Sequence, residues 1–244
     1  MRKIITPMAS ILYKNDSLAR KLGMGVDSAR CLAVNHWAEG RCGSISLNVT
    51  SSFPGKVSEW RSISGEYDIG QAFPKVQDNM IFITANHISM AEFVRTPMDC
   101  GSIVRILEGG GRYDFIADKV VKISSEFIIH LNAYNLFNTQ KNPPLAIVHA
   151  YPMKIEVAMR KLDFDSERFM EKAHEFSPDQ MWTFKKGIAT IEYGTPEYTE
   201  NVAKALADRK LVIVPRHGIF SFGLDPIAAV DKIAAVNYFA SFMI

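Results

Sequence analysis

The chain of 244 residues is short of cysteine: Cys31, Cys42 and Cys100 are an odd three, far apart and without a CxxC pair. That excludes a disulfide framework and matches a reducing compartment, so the expected location is cytoplasmic. No apolar run approaches the roughly 18 residues of a membrane-spanning helix. The basic start Met1-Arg2-Lys3 is interrupted by Pro7 and then by Lys14-Asn15-Asp16 before a leader-like apolar stretch can form. Neither charge dominates, since 28 Lys plus Arg against 26 Asp plus Glu leaves a formal +2. The basic residues are dispersed, with pairs such as Lys185-Lys186 as their longest runs, so nucleic acid and membrane surfaces are not expected partners. GxGxxG, GxxxxGK[ST] and GxSxG are all missing, which excludes the usual dinucleotide, P-loop and serine-hydrolase signatures.

What remains is an ordinary globular composition, 48% hydrophobic and 22% charged, long enough to bury a core without disulfides or a structural metal. Length allows one large domain or two small ones, and no composition shift cuts the chain, so a single domain over residues 1–244 is expected. Residues 14–40 carry helical periodicity, with Gly23 and Gly25 expected to split it into two helices. Strands are expected at Ser44 to Val49, Met80 to Thr84, Leu145 to Val148, Gly187 to Ile191, Leu211 to Val214 and His217 to Phe222. A hairpin pairs residues 102–107 with 112–116 across Glu108-Gly109-Gly110-Gly111. Helical patterns cover residues 125–138, 153–160, 165–175, 196–208 and 226–242, while residues 50–79 are a weakly periodic excursion. Strands and helices alternate, yet the hairpin forbids a wholly parallel sheet. The expected fold class is α/β, with a mixed or antiparallel central sheet and helices on both faces.

Among six histidines, His149 and His217 follow apolar strand-like runs, a position that holds a side chain rigidly at a cleft and suits a metal ligand. The blander alternative is a hydrogen-bonded histidine at a strand terminus. Tyr151 shares the face of His149 if that strand continues. Glu126 stands at the start of a helix, where a carboxylate either caps the positive helix end or serves as a general base. Ser124 and Ser125, beside free helix N–H groups, suit an anion such as phosphate. The glycine triplet at 109–111 reads as a flexible hairpin turn.

Three stretches in this order go further: Ser124-Ser125-Glu126 with His130 and Tyr134, then Ala146 to Pro152, then Pro215-Arg216-His217-Gly218. Together they resemble the SSE-x3-H-x3-Y, VHxHP and HG elements of the class II aldolase/adducin family. The resemblance runs from about residue 26 to the end. It implies a three-layer fold with a mostly antiparallel mixed sheet. It also implies a metal-dependent lyase that cleaves a small ketose 1-phosphate, of the rhamnulose 1-phosphate kind, to dihydroxyacetone phosphate and an aldehyde. The ligands it implies for a divalent metal, zinc first, are His149, His217 and the residue at the second histidine position, here Tyr151. Glu126 becomes the acid/base, and Asp179 a second acidic group on a looser alignment. Arg41, Gly43, Ser44, Thr84, Ser124 and Ser125 become the phosphate contacts.

The chain departs from the family pattern at three elements. Tyr151 replaces a histidine, Arg41-Cys42-Gly43-Ser44 replaces an NGGN-like loop, and Thr84-Ala85-Asn86 replaces a TGS element. The alternatives are a non-catalytic interaction module like the adducin head, or a same-fold epimerase or dehydratase. The family also implies a homotetramer with the site between subunits. The almost uniformly apolar end, Tyr238 to Ile244, is consistent with burial against a neighbour.

Overall fold

The computed structural model describes residues 15–53, 55, 57–116, 119–138, 145–178 and 183–244. Asp179, the second acidic candidate, lies outside them.

The strands in chain order are β1 (Ser44–Asn48), β2 (Tyr67–Asp68), β3 (Met80–Thr84), β4 (Gly101–Ile106) and β5 (Arg112–Phe115). They continue with β6 (Ala146–Ala150), β7 (Ala189–Thr190), β8 (Leu211–Val214) and β9 (Gly218–Gly223). They form one nine-stranded sheet in the order β2-β5-β4-β3-β1-β6-β9-β8-β7. Every pairing is antiparallel except β7 with β8. The helices are α1 (Asp16–Val34), α2 (Met90–Arg95), α3 (Phe127–Phe137), α4 (Met153–Lys161), α5 (Ser166–Phe176), α6 (Tyr198–Arg209) and α7 (Pro226–Ala240).

Successive strand residues point to opposite faces, so one sheet feeds two cores. Phe82 of β3 and Val148 of β6 meet Leu32 of α1, Phe93 of α2, Phe169 of α5 and Ile233 of α7 on one face. Ile81 and Ile147, their neighbours in sequence, meet Phe137 of α3 and Leu206 of α6 on the other. The layered α/β architecture expected from alternation and hairpin is the one observed.

Details differ from the expectation. α1 runs unbroken through Gly23 and Gly25 and stops at Val34, where the Asn35 N–H donates back to Cys31 and Ala33. Gly25 is buried facing Leu47 of β1, where a Cβ would stand in ordinary contact at 3.4 Å, and Gly23 faces open space, so neither glycine breaks the helix. The glycine triplet is likewise no loose turn: at Gly110 (φ +73°) a Cβ would overlap the Phe73 backbone, the nearest atom 2.2 Å away. Residues 50–79 hold short 3₁₀ turns and β2. They are tied down by Arg105 of β4, which donates to the Val57 and Trp60 carbonyls and is ion-paired with buried Asp114 of β5. The short α2 has too few residues to show a periodic pattern; a Ser89–Glu92 capping box opens it.

The antiparallel order gathers particular strand ends. Ser44 pairs with His149, and Ala150 pairs with Ile219. Thr84 at the end of β3 accepts the Ile45 N–H. The start of β1, the ends of β3 and β6 and the start of β9 therefore meet at one end of the sheet.

Candidate functional site

His149, the penultimate residue of β6, is 1% exposed, and its ring lies flat on that of its cross-strand partner Phe220 with centroids 4.0 Å apart. Its Nε2 donates to the His217 carbonyl at 2.8 Å. Nδ1 is buried and has no hydrogen-bond partner among the described residues. Burial pulls the ring's pKa down to about 4, against the Glu126 charge that favours protonation, so His149 is neutral near pH 7.

His217 sits in the β8–β9 turn, its N–H on the Val214 carbonyl. Its ring centroid is 5.2 Å from that of His149. The glycine after it is required. Gly218 has φ +92°, and a Cβ there would lie 2.3 Å from the Ala150 carbonyl oxygen and 3.2 Å from His149 Nε2. Only glycine lets β9 pass the end of β6 closely enough to bring the two histidines together. Tyr151 joins them, its ring 4.8 Å from that of His149 and its backbone N–H on the Trp37 carbonyl. Burial, with Cys42 and Glu126 nearby, pushes the Tyr151 phenol well above its ordinary value, so it is a neutral hydroxyl.

Glu126 is the N-cap residue of α3, but its side chain caps nothing. Ser124 takes that role locally: its Oγ accepts the Glu126 N–H, its carbonyl accepts the Phe127 N–H, and its own N–H donates to the Thr84 carbonyl. The carboxylate is thus released from the helix end and turned toward His217, with Oε1 3.4 Å from Nε2. The pair lies outside good hydrogen-bond geometry, and His217 Nε2 is buried without a hydrogen-bond partner among the described residues. Burial raises the Glu126 carboxyl, but the His217 ring and the nearby His149 and His130 outweigh it and leave the pKa below the ordinary value. The group is an ionised base at neutral pH.

One turn along α3 from Glu126, His130 explains why the helix lies where it does. It is fully buried, with Nε2 3.0 Å from Ser44 Oγ and Nδ1 2.6 Å from Ser46 Oγ. Ser46 also contacts the Tyr134 hydroxyl at 3.0 Å, and Tyr134 donates to the Leu145 carbonyl. That carbonyl can only accept, which sets the direction of the whole chain. Tyr134 commits its proton to Leu145, so Ser46 donates to Tyr134, His130 Nδ1–H donates to Ser46, and Ser44 donates to Nε2. The chain needs a neutral imidazole, and burial with His149 nearby pulls the His130 pKa down to about 3, against the opposing Glu126 charge. It stitches α3, carrying Glu126, to β1, the neighbour of β6.

The expected phosphate contacts divide. Ser44 is committed to His130, and Thr84 is fully buried with its hydroxyl on the Ile45 N–H, so neither side chain lines an open site as the resemblance implied. Ser124 is committed to Glu126. Ser125 is at the surface, its hydroxyl 3.5 Å from the Glu126 carboxylate. Arg41 is exposed, holding Glu92 and the His87 carbonyl. Gly43, at φ +85°, lies where a Cβ would stand 2.9 Å from the His149 carbonyl oxygen, so it brings the loop against the histidine strand.

Tyr193 and Tyr198 also belong to the site, and sequence reasoning does not single them out. Tyr193 stacks on His217 at 4.4 Å and is half exposed, while Tyr198, the first residue of α6, stands edge-on to the same ring at 6.0 Å. No spacing in the sequence ties them to a turn some twenty residues downstream. Beside Tyr151 and Gly218 a cavity of about 430 Å³ is lined by Met153, Ile155, Arg160 and Arg216.

The donor set can be tested against a metal ion. Among the described residues no three or more His, Cys, Asp and Glu side chains are grouped to hold one. The unpartnered, buried ring nitrogens of His149 and His217 nevertheless fit two positions of a ligand sphere, with Glu126 beside them. The third family position offers a neutral phenol.

A rhamnulose-1-phosphate aldolase of Bacteroides thetaiotaomicron is 28% identical over 241 residues, covering 94% of this chain and 87% of that protein. The crystal structure of a sugar-phosphate aldolase from Thermotoga maritima shares the fold at TM-score 0.79 and 21% identity, covering 93% of this chain and 94% of that one. The L-fuculose-1-phosphate aldolase of Thermus thermophilus shares it at TM-score 0.58 and 14% identity, with 92% of each chain covered. The sequence description of the Class II Aldolase and Adducin N-terminal domain matches residues 26–244. With that match continuous to the last residue, the chain belongs to the class II aldolase and adducin family.

Proposed function

We propose that this chain is a metal-dependent lyase that cleaves a small ketose 1-phosphate, of the rhamnulose 1-phosphate kind, to dihydroxyacetone phosphate and an aldehyde. The observation that carries the reading is the Glu126 carboxylate, withdrawn from its helix cap and held 3.4 Å from His217. A helix-opening carboxylate costs nothing at the cap and something when buried, so its placement beside a histidine pair calls for a chemical role.

His149 and His217, with Glu126 or Tyr151 beside them, would hold the divalent cation, zinc in the first instance. Bound there, the cation would supply a Lewis acid for the charge that gathers on the ketone oxygen as the C3–C4 bond breaks. Glu126 moves the proton. As a carboxylate it removes one from C3 of dihydroxyacetone phosphate in the condensation direction. On cleavage the C4 hydroxyl gives its proton to water as the aldehyde forms and the C3–C4 electron pair passes to C3 and the ketone oxygen, and the carboxylic acid form of Glu126 returns a proton to C3. Arg41, Ser125 and the Gly43 turn are assigned to the phosphate end. The same reading carries a homotetramer and a cytoplasmic location; the exposed side chains of Phe176, Tyr238, Phe242 and Ile244 are available for subunit contact.

The test is direct. Purified protein supplied with zinc, cobalt or manganese should release dihydroxyacetone phosphate from one member of a ketose 1-phosphate panel, and Glu126→Gln should slow that release by about 10²–10⁴-fold. No turnover of any member with any metal would end the lyase reading. One observation favours a second reading, an interaction module of the adducin-head kind: Tyr151 offers a neutral phenol where a third nitrogen would complete the metal site. A site that takes up no metal would select it. Turnover of a sugar phosphate without C–C cleavage would select a same-fold epimerase or dehydratase.

A further inference from the structure

Tyr198 is 8% exposed, yet its hydroxyl is buried and has no hydrogen-bond partner among the described residues. An unpaired hydroxyl in a protein interior is unfavourable, and phenylalanine would fill nearly the same volume without it. The ring is not in a remote part of the core. It stands edge-on to His217 with centroids 6.0 Å apart at 80°, and edge-on to Tyr193 at 5.1 Å and 74°. After burial, the largest influence on its phenol is the Glu126 carboxylate, followed by Tyr193 and Tyr151. The orphaned group therefore stands beside His217, the ring that the proposed base Glu126 contacts. Its position is not accidental to the helix either, because the next residue, Thr199, accepts from Asn132 of α3 and pins the start of α6 to the helix that Glu126 opens.

We propose that Tyr198 is a substrate-binding residue whose hydroxyl donates a hydrogen bond to an oxygen of the bound ligand beside Glu126 and His217. The assignment rests on the lyase reading and deepens it. On the lyase reading the oxygen beside Glu126 and His217 is a carbonyl or hydroxyl oxygen of the carbon skeleton, with the phosphate at the Gly43 and Ser125 end. Where Glu126 takes a proton from carbon, charge develops on the adjoining oxygen. A buried donor already in place stabilises that charge without reorganisation. Burial and the neighbouring carboxylate keep the phenol in its neutral, donating form.

The experiment compares metal-loaded wild type with Tyr198→Phe by thermal unfolding, with and without dihydroxyacetone phosphate or inorganic phosphate. Without ligand, Tyr198→Phe should unfold at the same or a higher temperature, because an unpaired hydroxyl has been removed. Dihydroxyacetone phosphate should stabilise wild type and bind the variant roughly tenfold more weakly. Inorganic phosphate should affect both alike. Equal affinity of the two proteins for dihydroxyacetone phosphate would overturn the assignment, as would a variant that unfolds at a lower temperature without ligand. A wild type that dihydroxyacetone phosphate does not stabilise at all would overturn the lyase reading and this assignment with it. That result differs from the first, in which wild type binds and the variant binds equally.

Discussion

Glu126 Oε1 lies 3.4 Å from His217 Nε2, joining the first turn of α3 to the β8–β9 turn across 91 residues of sequence. The contact puts an ionised carboxylate next to a ring nitrogen with no hydrogen-bond partner among the described residues. If that carboxylate is the base, Glu126→Gln should lower kcat by about 10²–10⁴-fold. Its unfolding temperature should change little, since the side chain caps no helix N–H. Steady-state kinetics beside a thermal melt checks both parts, and a variant that keeps wild-type kcat would remove Glu126 from the mechanism.

On the proposed metal site of His149 and His217, Tyr151 takes the place of a third nitrogen. Tyr151→His should raise zinc affinity by at least about tenfold, measured by competition with a chromophoric chelator. His149→Ala and His217→Ala should each lose the metal that wild type retains after chelator-free purification, read by mass spectrometry. Unchanged metal content in both alanine variants would place the ion elsewhere.

Gly218 is the closest approach of β9 to the end of β6. Alanine there must adopt φ +92° and put its Cβ 2.3 Å from the Ala150 carbonyl oxygen. Gly218→Ala should cost about 3 kcal/mol of stability or more, combining backbone strain with a clash against main chain. Urea unfolding measures it; a loss below about 1 kcal/mol would mean that the strand end yields easily.

His130 has a folded pKa of about 3 against an ordinary value of 6.5, and His149 one of about 4. For a base whose folded pKa is depressed, the unfolded chain binds more protons between the two values, so stability falls as pH falls from 6.5 toward 3. Each group contributes up to about 1.4 kcal/mol per pH unit within its window. Urea midpoints should therefore drop steeply between pH 6.5 and 4. His130→Phe should be less stable at pH 7, with Ser44 losing its partner and Ser46 keeping only Tyr134, and should show a shallower acid slope. An unchanged slope would contradict the one-directional chain through a neutral His130.

The elements with strong periodicity are legible because alternation and helical spacing are local properties. The β3, β6 and β8 runs and the α7 pattern appear within a residue or two of expectation. For α1 the expected split into two helices fails because a glycine lowers helix propensity without forcing a break, and the packing of Leu18, Leu22, Ala29 and Leu32 in the core holds the helix through both glycines. His149, His217 and Glu126 are legible as candidates from their places at element ends. Ser44 and Thr84 show the limit. The family resemblance makes them phosphate contacts, but the hydroxyls turn inward, one to His130 from a helix 86 residues on and the other to the Ile45 backbone. Hydroxyls bond to whichever partner packing supplies.

By itself the sequence determined the type of the strongly periodic elements and the residue chemistry available at the ends of β3, β6 and β8. Only the tertiary structure decided which of those ends meet. Antiparallel order brings the start of β1, the ends of β3 and β6 and the start of β9 to one end of the sheet, Gly218 permits the close approach, and Ser124 frees Glu126 from its helix. Distance between residues far apart in sequence depends on register and packing, and no local pattern carries that information. The same reason hid Tyr198, whose buried hydroxyl acquires meaning only beside Glu126 and His217.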